Sequence, residues 1–301
     1  MAVVNTNIAA SIAQAALTKN ERALGTAMEQ LSTGKKINSA SDNAAGLAIS
    51  TRMTSQIRGL DQAIRNAHDA TSMISTAEGA LDEMTAMLQR IRELALQAGT
   101  GTTDAAERSY LNAEYSHLLL EIDRIATTTE WNGRTILDGY AGGASSKVAY
   151  QVGAGPAQTI SMAFGNFTQM RGGAGTAPGI MASLATLASA GFGGAIFTLS
   201  AGTIASAMAN AGVVISAADK AMEVVSTQRA SFGAVTNRLV HAVDNLTNVM
   251  MNAEVTRSRI LDTDYAASTS ELARTQIIQQ AGTAMLAQAN ELPSTVLALL
   301  Q

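Results

Sequence analysis

The residues whose types could do chemistry are few. They are three histidines, His68, His117 and His241, and the paired carboxylates of Asp262-Thr263-Asp264. An imidazole can act as general base or hold a metal, but a zinc site wants ligands at HExxH-like spacing, and these three lie on separate segments without it. They read as solvated helix-face residues. The two carboxylates fall short of the roughly six to eight oxygens that calcium takes. With Arg257 and Arg259 beside them, a helix boundary or an ion-pair cluster between chains is the better account. The glycine pairs Gly172-Gly173 and Gly193-Gly194 precede no Lys-Ser/Thr and read as linker, not as a phosphate cradle. Cysteine is absent, and no Asp, Glu or His lies between Asp138 and Asp219. A catalytic site inserted there would lack every usual base, nucleophilic thiol and metal ligand. The expectation is a protein that is not an enzyme, with no catalytic residue, metal or cofactor.

The composition points the same way. Of 301 residues 47% are hydrophobic, yet aromatics make up only 4%. Large rings dominate the area buried in deep cores, so an Ala-rich apolar set suits close contact between helices along extended seams. A net charge of −4 gives no basic face for nucleic acid. No run approaches the ~20 apolar residues of a membrane span, so no membrane insertion is expected. MAVVNTNIAASIAQAAL has no basic start and is interrupted by Asn, Ser and Gln, unlike a cleaved secretory signal.

Charge is distributed unevenly. Met1 to Thr18 carries no charged side chain, and Thr275 to Gln301 carries only Glu291. Chain ends are ordinarily solvated and frayed. These two have the character of buried helices, and a monomer offers nothing to bury them except each other or neighbouring copies. They are therefore expected to lack order in a lone subunit.

Heptad patterns supply the framework. One seam row holds Ile57, Ile64, Thr71 and Glu78, and the other holds Leu60, Ala67, Ile74, Leu81 and Leu88. This predicts a coiled-coil helix that begins after Ser41 or Asp42, ends near Gln97 and is about 80 Å long. Asp104 and Glu107 form a capping pair for a second helix, with Leu111, Tyr115, Leu118, Ile122 and Ile125 on its inner face. A third helix runs through Ala221, Val225, Gln228, Phe232, Val235, Leu239, Ala242, Leu246, Val249 and Ala253 in steps of four and three. Between them, Asn132-Gly133 marks a tight turn. Val148–Val152 and Thr159–Phe164 alternate like the strands of a hairpin. Residues 165 to 212 are expected to be irregular surface structure, with one Ala-rich helix near Ala201 to Ala211.

Six runs, in order, then carry a family resemblance: QLSTGKKINSASDNAAGLAIS, QRIRELALQAGTGT, EIDRIATTTEWNGRTILDG, AVTNRLVHAVDNLTNV, RSRILDTDYA and QIIQQAGTAMLAQANELPSTVLALL. They resemble bacterial flagellin, the subunit of the flagellar filament, over roughly residues 1–165 and 215–301. The resemblance implies a mainly α fold. Its N- and C-terminal regions form long antiparallel coiled-coil helices, with a small β-hairpin region and a short Gly/Ala-rich central segment. It further implies a discontinuous inner helical domain, 1–42 with 262–301, and a discontinuous middle domain, 43–165 with 215–261. Residues 166–214 become a short variable surface segment, too short for the outer domains of large flagellins.

By the same resemblance, inner assembly would rest on Ile8, Ile12, Leu24, Met28, Leu31, Ile278, Met285, Leu292, Val296 and Leu299. The coiled-coil seam would rest on Leu60, Ile74, Leu81, Leu88, Val225, Phe232, Val235, Leu239, Leu246 and Val249. The implied partners are many copies of the same chain, an export chaperone, and filament cap and junction proteins. Export unfolded through a type III channel would place the chain outside the cell. Gln89, Arg90, Leu94, Gln97 and Glu114 match the motif through which a host Toll-like receptor reads many flagellins, with Leu94 as apolar anchor. Two alternatives remain at this point: a hook-filament junction protein, and a coiled-coil interaction protein that forms no filament. The latter would want charged, solvated ends.

Overall fold

The computed structural model describes residues 7–142, 146–168 and 204–299, with side chains for all of these except 204–209 and 292–299. Its helices are α1 (Ile8–Thr33), α2 (Ala40–Ala98), α3 (Ala105–Thr128), α4 (Ile204–Leu261) and α5 (Tyr265–Leu299). Two short antiparallel ribbons lie between α3 and α4: β1 (Glu130–Trp131) with β2 (Arg134–Thr135), and β3 (Lys147–Gln151) with β4 (Thr159–Ala163). The chain groups into two compact units, Met1–Arg58 with Val249–Gln301, and Gly59–Asn248.

In the first unit, α1 opens with Asn7, whose side chain accepts from Ala10 N at 3.0 Å. That satisfies one of the free N–H groups of the first turn. The helix closes on Gly34, left-handed at φ 70°. A spoke follows, and it is stitched to the chain between α4 and α5. Lys36 N donates to Leu261 O at 2.7 Å, and Thr263 N donates to Gly34 O at 3.0 Å. Asp264 then caps α5, accepting from Ala266 N at 2.9 Å. Asp262-Thr263-Asp264 is thus a helix boundary. Neither Asp262 nor Asp264 pairs with Arg257 or Arg259 among the described residues.

The long helix α2 is interrupted at Asn43, where φ is −165° and ψ 96°. Asn43, not Ser41 or Asp42, is the effective N-cap: its Oδ1 accepts from Gly46 N at 2.8 Å. Asp42 is used otherwise, taking Asn38 N at 3.0 Å and Ser39 N at 2.9 Å to fold the spoke. A Cβ at Gly46 would come 2.6 Å from Ile37 Cδ1 and 3.1 Å from the Asn43 side chain.

The second unit holds one continuous core. On α2 the row Leu60, Ala67, Ile74, Leu81 and Leu88 is buried, as the heptad requires. Its companion row is Ala63, Ala70, Ala77, Met84 and Ile91, all buried, instead of Ile64, Thr71 and Glu78. Glu78 is exposed and faces Arg229 on α4. Three alanines give little hydrophobic signal, so the sequence pattern favours the wrong neighbour. On α4, Ala221, Val225, Phe232, Val235 and Leu239 are buried. Gln228, the polar member of that row, donates to Ala163 O at the end of β4 at 2.8 Å. The pairs Arg92–Asp219 and Arg229–Asp82, at 2.8 and 3.1 Å, set α2 and α4 antiparallel. Each fully buried Leu, Ile, Val, Met or Phe of this core contributes about 1.5–3 kcal/mol.

The capping box Asp104/Glu107 starts α3, which buries Tyr115 and Ile122. Asn132 and Gly133, at φ 51° and 74°, make the two-residue hairpin turn with the twist that flanking strands want. In β3–β4, Val148 opposes Met162 and Tyr150 opposes Ile160. The Tyr150 hydroxyl donates to Met73 S on α2 at 2.9 Å, and burial pushes its pKa up to about 12.

Two expectations for the middle of the chain change. Residues 166–168 are core: Asn166, Phe167 and Thr168 are buried, and Phe167 N donates to Leu137 O at 2.8 Å. The Ala-rich stretch from 204 onward is the beginning of α4, not a separate helix. Most of the expected variable segment, 169–203, lies outside the described residues.

Candidate functional site

Within the first unit, α1 and α5 lie side by side in antiparallel register. Asn7 Nδ2 donates to Ala289 O at 2.7 Å, and Asn20 Nδ2 donates to Thr275 O at 2.8 Å and to Gln279 Oε1 at 3.0 Å. Between those points Gly282 admits Leu17, whose Cδ2 sits 2.7 Å from where a Cβ would be. The buried residues of the pair are small or polar: Asn20, Ala27, Ser268, Thr275 and Ala289. Several large aliphatics of the pair are exposed instead. Ile8 is 58% exposed, Ile12 65%, Met28 56%, Ile278 42% and Met285 67%. Leu24 and Leu31 are half-buried, and the side chains of Leu292, Val296 and Leu299 lie outside the described residues. An apolar groove of about 440 Å³ runs between the helices, lined by Ile12, Leu17, Ile278 and Met285 among others.

Residues 8–33 and 265–299 are helical. They are held by a cap and by side chain to backbone hydrogen bonds across the pair. Charge counting could not reveal this, because the holding groups are neutral amides. Asn7 and Asn20 are the functional residues the sequence reading passed over.

The seam residues divide. Leu60, Ile74, Leu81, Leu88, Val225, Phe232, Val235 and Leu239 are buried, whereas Leu246 is half-buried and Val249 is exposed. The five receptor-motif residues lie on α2 and α3 in the second unit. Arg90 Nε donates to Glu114 Oε1 at 2.8 Å, and its Nη1 donates to Glu93 Oε2 at 3.1 Å. These carboxylates, Glu114 first, raise the guanidinium pKa. Gln89 and Gln97 are exposed. Leu94 is not an apolar anchor on that surface: it is 1% exposed, turned into the core. His68, His117 and His241 are all exposed, and the described residues hold no cluster of three or more His, Asp or Glu that could bind a metal. No helix among the described residues is long and apolar enough to cross a membrane.

The described residues form a helical protein whose paired end helices expose large aliphatic side chains. Residues 4–142 match the bacterial flagellin N-terminal helical region, and residues 215–300 match the bacterial flagellin C-terminal helical region. Flagellin of Halalkalibacterium halodurans is 40% identical over 299 residues, spanning 99% of this chain and 100% of the relative. Flagellin A of Vibrio cholerae is 37% identical over an alignment of 379 positions, covering 99% of each. Against 301 residues here, the longer alignment means the Vibrio protein carries insertions that this chain lacks. A flagellar hook-associated protein from Vibrio parahaemolyticus shares the fold, with a TM-score of 0.57 over 73% of this chain and 100% of its own, at 16% identity. The chain belongs to the bacterial flagellin family. It is a structural subunit of the flagellar filament, a homopolymer, and not an enzyme.

Proposed function

We propose that polymerisation is driven by the outward aliphatic faces of α1 and α5, with 1–42 and 262–301 acting as the inner filament layer. In this reading 43–165 and 215–261 form the layer outside it. The observation that carries this is the inversion of the pair: small and polar residues inside, Ile8, Ile12, Met28, Ile278 and Met285 outside. Covering such faces releases about 25 cal/mol for each Å² of apolar area. A surface that meets a different surface on the next copy, without closing, builds a helical filament. The test is negative-stain electron microscopy of the purified chain beside a version lacking 1–18 and 275–301. Filaments from the full chain alone are expected; filaments from both would remove the ends from the assembly mechanism.

The uncharged ends also suit export in an unfolded state, with a dedicated chaperone, and growth outside the cell beneath a cap. A secondary role as ligand of a host Toll-like receptor rests on the exposed cluster of Gln89, Arg90, Gln97 and Glu114, with Leu94 supporting it from below. Arg90 offers the planar donor fork that bidentate recognition needs. Arg90→Ala is expected to lower activity in a receptor reporter assay while leaving the far-UV circular dichroism unchanged. Undiminished activity would remove the role. The second reading, a junction protein, draws on the shared fold of the hook-associated relative. Long filaments from the chain alone would decide against it.

A further inference from the structure

A groove of about 450 Å³ in the first unit belongs to neither surface described above. One wall is a single face of α2: Leu47, Ser50, Thr51, Thr54, Ser55 and Arg58 recur at one-turn spacing. The opposite side is the spoke, from Lys35 to Asn38, with Leu261. Its floor is apolar, since Ile37 is buried and Leu47 and Leu261 are half-buried. Its charge has one sign: Lys35 and Arg58 line it, and no Asp or Glu does. Neither cation enters an ion pair among the described residues. Asp42 is held by the Asn38 and Ser39 amides, and Asp262, opposite Lys35 in the β-bridge, makes no ion pair with it among the described residues. The hydroxyls of Thr51 and Thr54 donate to Leu47 O and Ser50 O, at 2.9 and 2.8 Å. They offer a carboxylate no proton, so its donors here are Lys35 and Arg58.

We propose that this groove is a docking site for an acid-bearing helical turn of a neighbouring copy of the same chain, whose carboxylate sits between Lys35 and Arg58. The inference rests on the filament reading and adds a named contact to it. Three features select this occupant. The volume falls in the range that takes a sizeable group, roughly 300–1,000 Å³, and exceeds what a lone ion needs. The apolar floor suits the aliphatic stem of a Glu. The chain itself has a net charge of −4, so a copy supplies the complementary sign. Such a contact fixes register and speeds docking more than it adds affinity, and salt screens it.

The experiment has two arms, both on the full chain. In the first, polymerisation seeded with wild-type filament fragments is followed by light scattering for wild type, Arg58→Lys and Arg58→Glu. Circular dichroism serves as the check that each monomer folds. The expected result is elongation slowed at least tenfold in Arg58→Glu, less than threefold in Arg58→Lys, with the wild-type rate falling as salt rises. In the second, a photo-crosslinking amino acid replaces Ser55, and filaments are irradiated and mapped by mass spectrometry. Crosslinks to an Asp- or Glu-bearing peptide of another copy are expected. Elongation of Arg58→Glu at the wild-type rate, or crosslinks within one chain only, would overturn the groove assignment while leaving the filament reading intact. Failure of wild type to elongate would overturn both.

Discussion

Asn20 and Thr275 stand 255 residues apart in sequence, and the Asn20 side chain donates to the Thr275 main-chain carbonyl at 2.8 Å. Asn20 is 7% exposed, and its amide also reaches Gln279 Oε1. It works as a register pin, since a shift of α5 by one residue would carry the carbonyl out of reach. Replacing Asn20 by Ala removes both bonds and is expected to cost about 1 kcal/mol per hydrogen bond lost. The measurement is the thermal dissociation midpoint of assembled filaments, which should fall. An unchanged midpoint would mean that the pin is redundant with Asn7.

Leu17 and Gly282 make a size-matched pair. A methyl group at 282 meets only the flexible tip of Leu17, so Gly282→Ala should be tolerated at small cost. Gly282→Val should lower the filament dissociation temperature markedly. Adding Leu17→Ala to Gly282→Val should recover part of the loss, because non-additivity marks direct contact. Purely additive effects would place the damage elsewhere on α5.

Leu81 on α2 and Val249 on α4 predict a contrast between two expected seam positions. Leu81 is fully buried, and truncation to Ala should destabilise by about 2–5 kcal/mol. Val249 continues the α4 row in sequence but is 39% exposed. Its truncation should stay within about 0.5 kcal/mol, as for other surface changes. Chemical denaturation of the monomer, fitted for each variant, separates the two.

Asp42 should make the spoke acid-sensitive. Backbone hydrogen bonds from Ser39 and then Asn38 hold its carboxyl below the ordinary value of 3.8. A depressed folded pKa gives stability that is present above the unfolded value and lost as pH falls through the folded one. Exchange protection of the Asn38 and Ser39 amides is therefore expected to be constant at neutral pH and to decline below 3.8. Asp42→Asn should flatten that dependence. A decline of equal size in Asp42→Asn would assign it to another carboxylate.

How far these features can be read in the sequence depends on how much each side chain advertises itself. The Leu60–Leu88 row, the Asp104/Glu107 box and the Asn132-Gly133 turn are written in residues with strong local preferences, and they stand where their spacing puts them. The companion row of α2 is not legible, because Ala63, Ala70 and Ala77 are as common on open helix faces as in cores. The start of α2 shifts to Asn43 since three adjacent residues, Ser41, Asp42 and Asn43, are all good caps. Only the spoke's need for Asp42 decides among them. The burial of Phe167 depends on Leu137 offering its carbonyl across the fold, which no window of sequence contains. Among the residues proposed for receptor contact, Leu94 looks like an exposed anchor by resemblance and is taken by the core because the α2 period turns it inward.

The inverted packing of α1 against α5 has a kinetic consequence. Two copies meeting in solution can cover only part of each other's outward aliphatics, while each still loses its freedom to tumble and its side chains lose rotamers. A copy arriving at an existing end meets several neighbours at once and covers far more. Growth on a seed should therefore be fast where spontaneous initiation is slow, with a lag that added fragments abolish. The concentration of free chain left at equilibrium would then measure how much of the aliphatic face the finished lattice conceals.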